Sequence, residues 1–262
     1  MPISLRCPIS RISQQEFGEI SFEVMRQVFA IHNELGRFFD ERIYKQELAY
    51  RLPGVRLEEP IDLMFGSFQK RYFMDALVAD GGVFEFKAVE SLSGQHRAQL
   101  LHYLLLSDVA HGKLINIRPE DVEHEYVNTQ WRPADRLGFD IEAGRWNATV
   151  PGAAQLHDFL TGLLRDLGAG LEIALYEEAV VHCFGGAAAV EADVPVLVNG
   201  RQPGQQRFRL IAPGVAVKIT AFDGRQDPFE VHARRLLAHV DLRAIAWVNV
   251  NLKQVTFTML ER

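Results

Sequence analysis

Apolar residues recur at helical spacing in two segments near the start of the chain. The first segment ends at Gly36, a common helix stop, and its apolar positions are Ile20, Val24, Val28, Ile31 and Leu35. The second segment ends before Pro53-Gly54 and has Ile43, Leu48 and Leu52 at the same spacing. The sequence therefore predicts two consecutive helices, each with one apolar face.

A segment rich in predicted strands follows, interrupted by tight turns. Gly66-Ser67 and Asp80-Gly81-Gly82 are turn signals between apolar runs, and Val83–Val89 is predicted as the next strand. A helix is expected after it, and residues 113–117 and 122–127 have the patterns of a buried strand and an edge strand. This order predicts an α/β fold, a mixed α+β sheet of three to five strands flanked by helices.

The second half of the chain repeats this order at a nearly constant offset. The matching positions, at offsets of 132 or 133, are Leu35-Gly36 with Leu167-Gly168, Tyr44 with Tyr176, and Asn116 with Asn249. Asn199-Gly200 supplies a hairpin signal in the second copy. The repetition indicates a tandem pseudo-duplication; the alternative is two unrelated α+β segments. We expect domains at residues 1–148 and 149–262, with residues 129–152 as an irregular connector.

The strand of the first copy carries charges in apolar surroundings. Alternation puts Glu85 and Lys87 on one side of the strand and Phe86 on the other. Asp75 lies on the preceding strand, where a hairpin brings it beside Glu85. Two buried carboxylates repel each other, and Mg²⁺ or Mn²⁺, which prefer oxygen ligands, would remove that cost. The alternative is a solvated Glu–Lys pair, worth under about 1 kcal/mol.

Two other segments place polar groups near this strand. Gln99 and Tyr103 lie four residues apart, so they share one face of the following helix. Glu41 precedes Tyr44 by three residues on the second helix, from which it could reach the same cluster. A solvated helix face for Gln99 and core packing for Tyr103 are the competing interpretations.

These motifs together resemble the PD-(D/E)XK nuclease superfamily. The stretches "LGRFFDERIYKQEL" and "FEFKAVESLSGQHRAQLLHYL" are similar, more closely, to its GxxExxY group, over roughly residues 20–128. The sequence departs from that group at Arg37-Phe38, where the group has Pro-Gly. The resemblance implies a restriction-endonuclease-like core in the first copy.

The resemblance also implies a set of metal ligands. Asp75 and Glu85 would bind Mg²⁺ or Mn²⁺, the carbonyl oxygen of Phe86 would add a third ligand, and Glu41 would be an accessory ligand.

Catalytic roles follow from the same resemblance. Lys87 would act with Asp75 and Glu85 as the catalytic lysine, and Gln99 and Tyr103 would position the substrate phosphate or the lysine. The implied function is metal-dependent hydrolysis of phosphodiester bonds in DNA or RNA.

The second copy lacks these groups. At an offset of 133, Lys218 stands where Glu85 would be, Thr220 replaces Lys87 and His232 replaces Gln99. The counterpart of Asp75 is expected near Arg209-Leu210, with no carboxylate in reach. We therefore predict an inactive copy, retained for packing or binding.

The net charge of the chain bears on whether it binds nucleic acid. The formal net charge is −6, whereas proteins that grip nucleic acid through many phosphates are usually basic. This leaves an alternative function open: a non-catalytic nucleic-acid-binding or regulatory protein built on a nuclease fold. A homo-oligomer is compatible with the sequence.

The chain also carries indications of its environment. Cys7 and Cys183 fit no disulfide or metal spacing. No apolar run has the length of a membrane span, and the N-terminal segment is not of signal-peptide type. These features predict a cytoplasmic protein without a membrane partner.

Overall fold

The computed structural model describes residues 2–262 and divides into two compact units. The first unit ends at Pro133 and the second begins at Ala134. This division precedes the boundary expected after residue 148, because the strand at Asp140–Arg145 pairs with the sheet of the second unit. The predicted connector is therefore partly regular structure.

The first unit contains the predicted helices and hairpins. Its elements are β1 (Ile3–Leu5), α1 (Gln14–Leu35), α2 (Glu41–Arg51), β2 (Arg56–Phe65), β3 (Phe68–Val78), β4 (Gly82–Lys87), α3 (Gly94–Ser107), β5 (His111–Asn116) and β6 (Glu123–Asn128). A capping box between Ser13 and Glu16 starts α1. The two-residue turn Gly66-Ser67 is confirmed, since Phe65 pairs with Phe68 across it.

A mixed sheet forms the centre of this unit. Its strand order is β1-β2-β3-β4-β5-β6, with β4 and β5 parallel and the other neighbours antiparallel. Phe84 and Phe86 of β4 belong to one buried cluster with Val24 and Val28 of α1 and Leu48 of α2. Because side chains alternate along a strand, this packing directs Glu85 and Lys87 to the other face.

The second unit is built from a similar series of elements. They are α4 (Pro133–Leu137), β7 (Asp140–Arg145), α5 (Ala153–Leu167), α6 (Ile173–Cys183), α7 (Ala187–Val190), β8 (Glu191–Val198), β9 (Arg201–Ala212), β10 (Val215–Thr220), α8 (Asp227–His239), β11 (Ala244–Val250) and β12 (Gln254–Glu261). The strand order is β7-β12-β11-β10-β9-β8, and β10 and β11 are parallel. Asn199-Gly200, both at positive φ, form the predicted hairpin turn.

The two units share a core topology of two helices, three strands, one helix and two strands. In each, the third of these strands runs parallel to the fourth. Glu85 pairs with Leu114 in the first unit, and Lys218 pairs with Trp247 in the second. Both members of the second pair lie 133 residues after those of the first, so the strand of Lys218 has the sheet position and register of the strand of Glu85. The mixed α+β sheets flanked by helices match the restriction-endonuclease-like fold class.

Three tertiary hydrogen bonds also recur at the repeat offset, one made by a tyrosine and two by an asparagine. The Tyr44 hydroxyl donates to the Gly36 carbonyl at 2.5 Å, and the Tyr176 hydroxyl donates to the Gly168 carbonyl at 2.8 Å. The Asn116 side chain accepts from the Val89 amide and donates to its carbonyl. Asn249 makes the same two bonds with Phe222.

We expect Asn116→Ala and Asn249→Ala to cost similar amounts of stability, about 1–3 kcal/mol each, since each change leaves backbone groups of a loop without their partner. Chemical denaturation of the two variants measures this free energy. Asn33→Ala, an exposed change on α1, is the control and should stay within about 0.5 kcal/mol of the wild type. A cost at only one of the two positions would show that the shared geometry is not a shared structural role.

The sheets differ from expectation at their edges. Within residues 2–262 each sheet has six strands, beyond the three to five that were predicted. The additional edge strands are β1, which is antiparallel to β2, and β7, which is parallel to β12. No helix among the described residues is long and apolar enough to cross a membrane.

Candidate functional site

Strands β3 and β4 separate where the predicted site begins. Their backbone pairing ends with Ala76 and Phe84. Beyond that pair, the Phe86 amide donates to Asp75 Oδ2 at 2.8 Å. The Asp75 carboxylate therefore takes the place of a ladder partner and lies at the opening between the two strands.

Glu85 is the most deeply buried charged group of the site. Its exposed fraction is 1%, and Lys87 Nζ donates to its Oε1 at 2.6 Å. Its other oxygen, Oε2, is buried and has no hydrogen-bond partner within residues 2–262. The Glu85–Lys87 pair is thus not a solvated surface pair, and one of its acceptors is unsatisfied.

Burial raises the pKa of Glu85 to about 8, and the charge of Asp75 acts in the same direction. Lys87 opposes the rise through its charge and its hydrogen bond. Because the pKa still rises, burial and the repulsion from Asp75 outweigh the lysine. In the absence of a metal, Glu85 therefore holds a proton more tightly than an exposed glutamate does.

Lys45 is a central residue of the site that the sequence analysis did not include. Its ammonium lies 2.6 Å from Asp75 Oδ1, 2.5 Å from Glu58 Oε1 and 3.3 Å from Glu41 Oε1. Burial disfavours the charged lysine, but the hydrogen bonds to Asp75 and Glu58 outweigh it and raise the pKa of Lys45. Its spacing of four residues from Glu41 predicts an ion pair along the helix, but does not predict its contact with Asp75.

Glu41 belongs to the same electrostatic cluster. Burial raises its pKa, and the nearby Asp75 adds to the rise, while Lys45 and Lys87 act against it. The structure therefore brings Glu41 close to Asp75 and Lys87, as the sequence predicted, although an ammonium group lies between the carboxylates.

Gln99 and Tyr103 are joined to each other on α3. The Gln99 side-chain amide donates to the Tyr103 hydroxyl at 2.8 Å. Tyr103 is buried, and its ring centroid lies 6.0 Å from that of Tyr72. Tyr103 thus has a packing role, and its predicted contact with substrate stays a prediction, as does the one for Gln99.

The side chains predicted as metal ligands do not form a preformed coordination site. Within residues 2–262, no three carboxylate, histidine or cysteine side chains are gathered as a metal-binding group. The physical reason is that Asp75 contacts Lys45 and Glu85 contacts Lys87. The donors nevertheless fit a divalent cation, because Glu85 Oε2 is a buried oxygen without a partner. The Lys45 ammonium, which lies 2.6 Å from Asp75 Oδ1, would repel a cation shared by Asp75 and Glu85.

The second unit has different side chains at the corresponding places. Lys218 and Thr220 occupy the strand positions of Glu85 and Lys87, as predicted. Continuing the pairing of Ala216 with Leu210 places Phe208 opposite Lys218, so the counterpart of Asp75 is Phe208, one residue before the expected Arg209-Leu210. The expectation that no carboxylate is in reach was wrong: Glu177 of α6 lies 3.9 Å from Lys218.

Comparison with known proteins gives a family match within the first unit. Residues 18–128 match the PD-(D/E)XK nuclease superfamily, and this stretch runs from α1 to the end of β6. It includes Asp75, Glu85 and Lys87. The match, together with the fold, supports a nuclease-like function, and nucleases of this superfamily typically use divalent metals.

The comparisons with solved structures and with curated proteins give weaker similarity or none. The crystal structure of SSO0001 is similar at 24% sequence identity, over 45% of this chain and 62% of that one, with a TM-score of 0.29. The chain thus spans less than two thirds of that protein. No curated protein matches the chain.

Proposed function

We propose that the first unit is a metal-dependent nuclease that hydrolyses phosphodiester bonds of DNA or RNA through Asp75, Glu85 and Lys87. The main support is the buried Glu85, whose Oε2 lacks a partner while its Oε1 contacts Lys87. An unsatisfied buried carboxylate beside a second carboxylate and a lysine is costly for a purely structural site. That cost is understandable where the groups act on a ligand.

The protein groups have separate tasks in this proposal. Asp75 and Glu85, with the Phe86 carbonyl, would hold the metal, and Glu41 would be an accessory ligand. Bound Mg²⁺ or Mn²⁺ would supply charge stabilisation for the phosphate and a more acidic water. Lys87, whose side chain is 15% exposed, would orient the attacking water or offset charge on the phosphate.

Two features of α3 extend the proposal to substrate. Gln99 and Tyr103 would position the phosphate or Lys87 through the hydrogen bond that joins them. The Leu35-Gly36, Glu41 and Tyr44 pattern further supports placement in the GxxExxY group.

Changing Lys87 to alanine is expected to reduce cleavage at least about 100-fold, because the lysine acts on charge in the transition state. Metal binding should persist, since a lysine is not a ligand. The measurements are cleavage of single- and double-stranded DNA and RNA with Mg²⁺ or Mn²⁺, and the rise in Tm caused by the metal alone.

Lys253→Ala is the control, as Lys253 is an exposed lysine of the second unit and lies outside the candidate site. Cleavage by Lys87→Ala at the wild-type rate would exclude this mechanism, even if metal bound normally.

For the second unit we propose an inactive duplicate of the first, retained for packing or binding, in a cytoplasmic protein. The shared strand order and the matching register at Glu85 and Lys218 support duplication. The free Cys7 and Cys183 fit a reducing compartment.

A non-catalytic binding or regulatory protein is the second candidate. One observation favours it: the Lys45 ammonium already neutralises Asp75 and Glu58 without a metal. If the wild type neither cleaves any of the four substrate types nor gains Tm with Mg²⁺ or Mn²⁺, this second candidate is the correct one.

A further inference from the structure

The second unit contains a cavity where the first unit has its candidate site. Its volume is about 230 Å³, and its lining includes Phe208, Lys218, Phe229, His232 and Leu236. It lies between α8 and the strands β9 and β10. Its walls are mainly apolar, while Lys218 and His232 are exposed to solvent.

Four lining residues are the direct counterparts of site residues in the first unit. Lys218, His232 and Leu236 lie 133 residues after Glu85, Gln99 and Tyr103. Phe208 is opposite Lys218 in the continued strand register, as Asp75 is opposite Glu85. At this position the second unit thus has a cavity, with an aromatic ring and a cation in place of the two carboxylates.

The charges around this position are reversed between the units. Lys45 of α2 contacts Asp75 in the first unit. Its counterpart 132 residues later is Glu177 of α6, which lies 2.7 Å from Arg209 and 3.9 Å from Lys218. In both units an ion pair joins this helix to the sheet, and the charges of its two partners are exchanged.

The cations at the mouth of the cavity are balanced by carboxylates. A second, adjoining depression is lined by Arg207, Arg209 and Lys218 together with Glu177 and Glu191, and Arg207 also bonds to Asp193, so three cations face three carboxylates. Lys218 is the most loosely paired of these cations, because it lies 3.9 Å from Glu177 and its side chain is 53% exposed. An anionic group can therefore reach the Lys218 ammonium at this mouth.

We propose that this cavity binds a nucleotide unit, with the base among Phe208, Phe229 and Leu236 and the phosphate at Lys218 and Arg209. The occupant follows from complementarity, since a base stacks on aromatic rings and a phosphate pairs with cations. The cavity has to enclose only the base, because the phosphate lies at the mouth, so it can be smaller than the roughly 300–1,000 Å³ of pockets that enclose a whole drug-sized ligand. The nucleotide is either free or the exposed unit of a single-stranded nucleic acid. The choice of a nucleotide rests on the proposed nucleic-acid function.

The test is binding by the full chain in EDTA, which keeps metal out of the first unit. The probes are adenosine monophosphate, thymidine monophosphate and a five-residue oligothymidylate. Their binding is measured by isothermal titration calorimetry. Lys218→Ala should weaken binding about tenfold through loss of a charged phosphate contact. His232→Glu, which puts a negative charge at the mouth, should weaken it at least as much, because the carboxylate repels the phosphate. Lys253→Ala, an exposed change outside the cavity, should leave it within about twofold.

The outcomes are separable. Binding of the oligonucleotide with the same sensitivity to Lys218→Ala identifies single strands as a source, and binding of the monophosphates alone identifies the free nucleotide. No binding by the wild type at millimolar concentration overturns the proposal, as does binding by both Lys218→Ala and His232→Glu with the wild-type affinity. Binding of decanoate in place of nucleotides also overturns it, because an acyl chain is then the occupant. Cleavage assays on the same wild-type protein decide the nuclease proposal independently.

Discussion

Glu85→Gln is expected to reduce metal-dependent cleavage at least about 100-fold and to make the metal-free protein more stable at pH 8. The loss follows because a neutral amide is a poor ligand for Mg²⁺ or Mn²⁺. The gain follows because the ionised Glu85 is buried and repelled by Asp75, whereas the glutamine side chain that replaces it carries no charge. An increase in stability on the order of 1–3 kcal/mol is expected.

The pH dependence of this gain has a defined sign. Burial and Asp75 raise the pKa of Glu85 from 4.5 to about 8. Between these values the unfolded chain loses the Glu85 proton while the folded chain keeps it, so the contribution of Glu85 to stability falls as pH rises. Below about pH 4.5 that contribution is fully present, and by about pH 8 it has been lost. The advantage of Glu85→Gln should therefore grow from pH 5 to pH 8.

The measurement is chemical denaturation in EDTA at pH 5 and pH 8, with cleavage measured separately. Glu90→Gln removes an exposed carboxylate shortly after the same strand and should change stability by less than about 0.5 kcal/mol at both pH values. An advantage of Glu85→Gln that is larger at pH 5 than at pH 8 would contradict the electrostatic account of this residue.

The sequence predicted the parts of the site that depend on local pattern. Alternation along β4 assigned Glu85 and Lys87 to one face, and the Asp80-Gly81-Gly82 turn placed Asp75 beside them. Lys45 was missed because its role depends on α2 lying against the end of β3, which is a tertiary contact that no spacing within the helix reveals. Its proximity to Glu41 in sequence indicates only an ordinary helical ion pair.

The edge strands show the same limit. β7 has the sequence "DIEAGR", with little alternation, and it is stabilised by pairing with β12, more than a hundred residues away. Only Ile141 and Ala143 are half-buried, and its other residues are exposed. Nothing local distinguishes such a strand from a loop, so its assignment to the second unit required the fold.

The reversal of charge between the units indicates what Lys45 does in the first unit. In the first unit a helix cation contacts sheet carboxylates, and in the second unit the helix carboxylate Glu177 contacts sheet cations. Sheet charge and helix charge therefore change together. In each unit the helix residue carries the charge opposite to that of the sheet residues it contacts. This indicates that Lys45 compensates the charge of Asp75 while no metal is bound.

Lys45→Met tests this role and is expected to have two opposite effects. Without metal it should lower stability by about 3 kcal/mol, because Asp75 loses its buried partner. Its response to Mg²⁺ or Mn²⁺ should exceed that of the wild type, since the cation no longer competes with an ammonium for Asp75. An apparent metal affinity about tenfold higher corresponds to about 1.4 kcal/mol.

The experiment compares the Tm of wild type and variant across a metal titration, in parallel with calorimetric binding. Arg42→Met, which removes an exposed cation from the same helix, is the matched control and should leave both quantities near the wild-type values. A lower stability with an unchanged metal response would show that Lys45 is structural and lies away from the metal position. A weaker metal response would show that Lys45 supports the ligands and does not compete for them, and that Asp75 needs the lysine to hold its orientation.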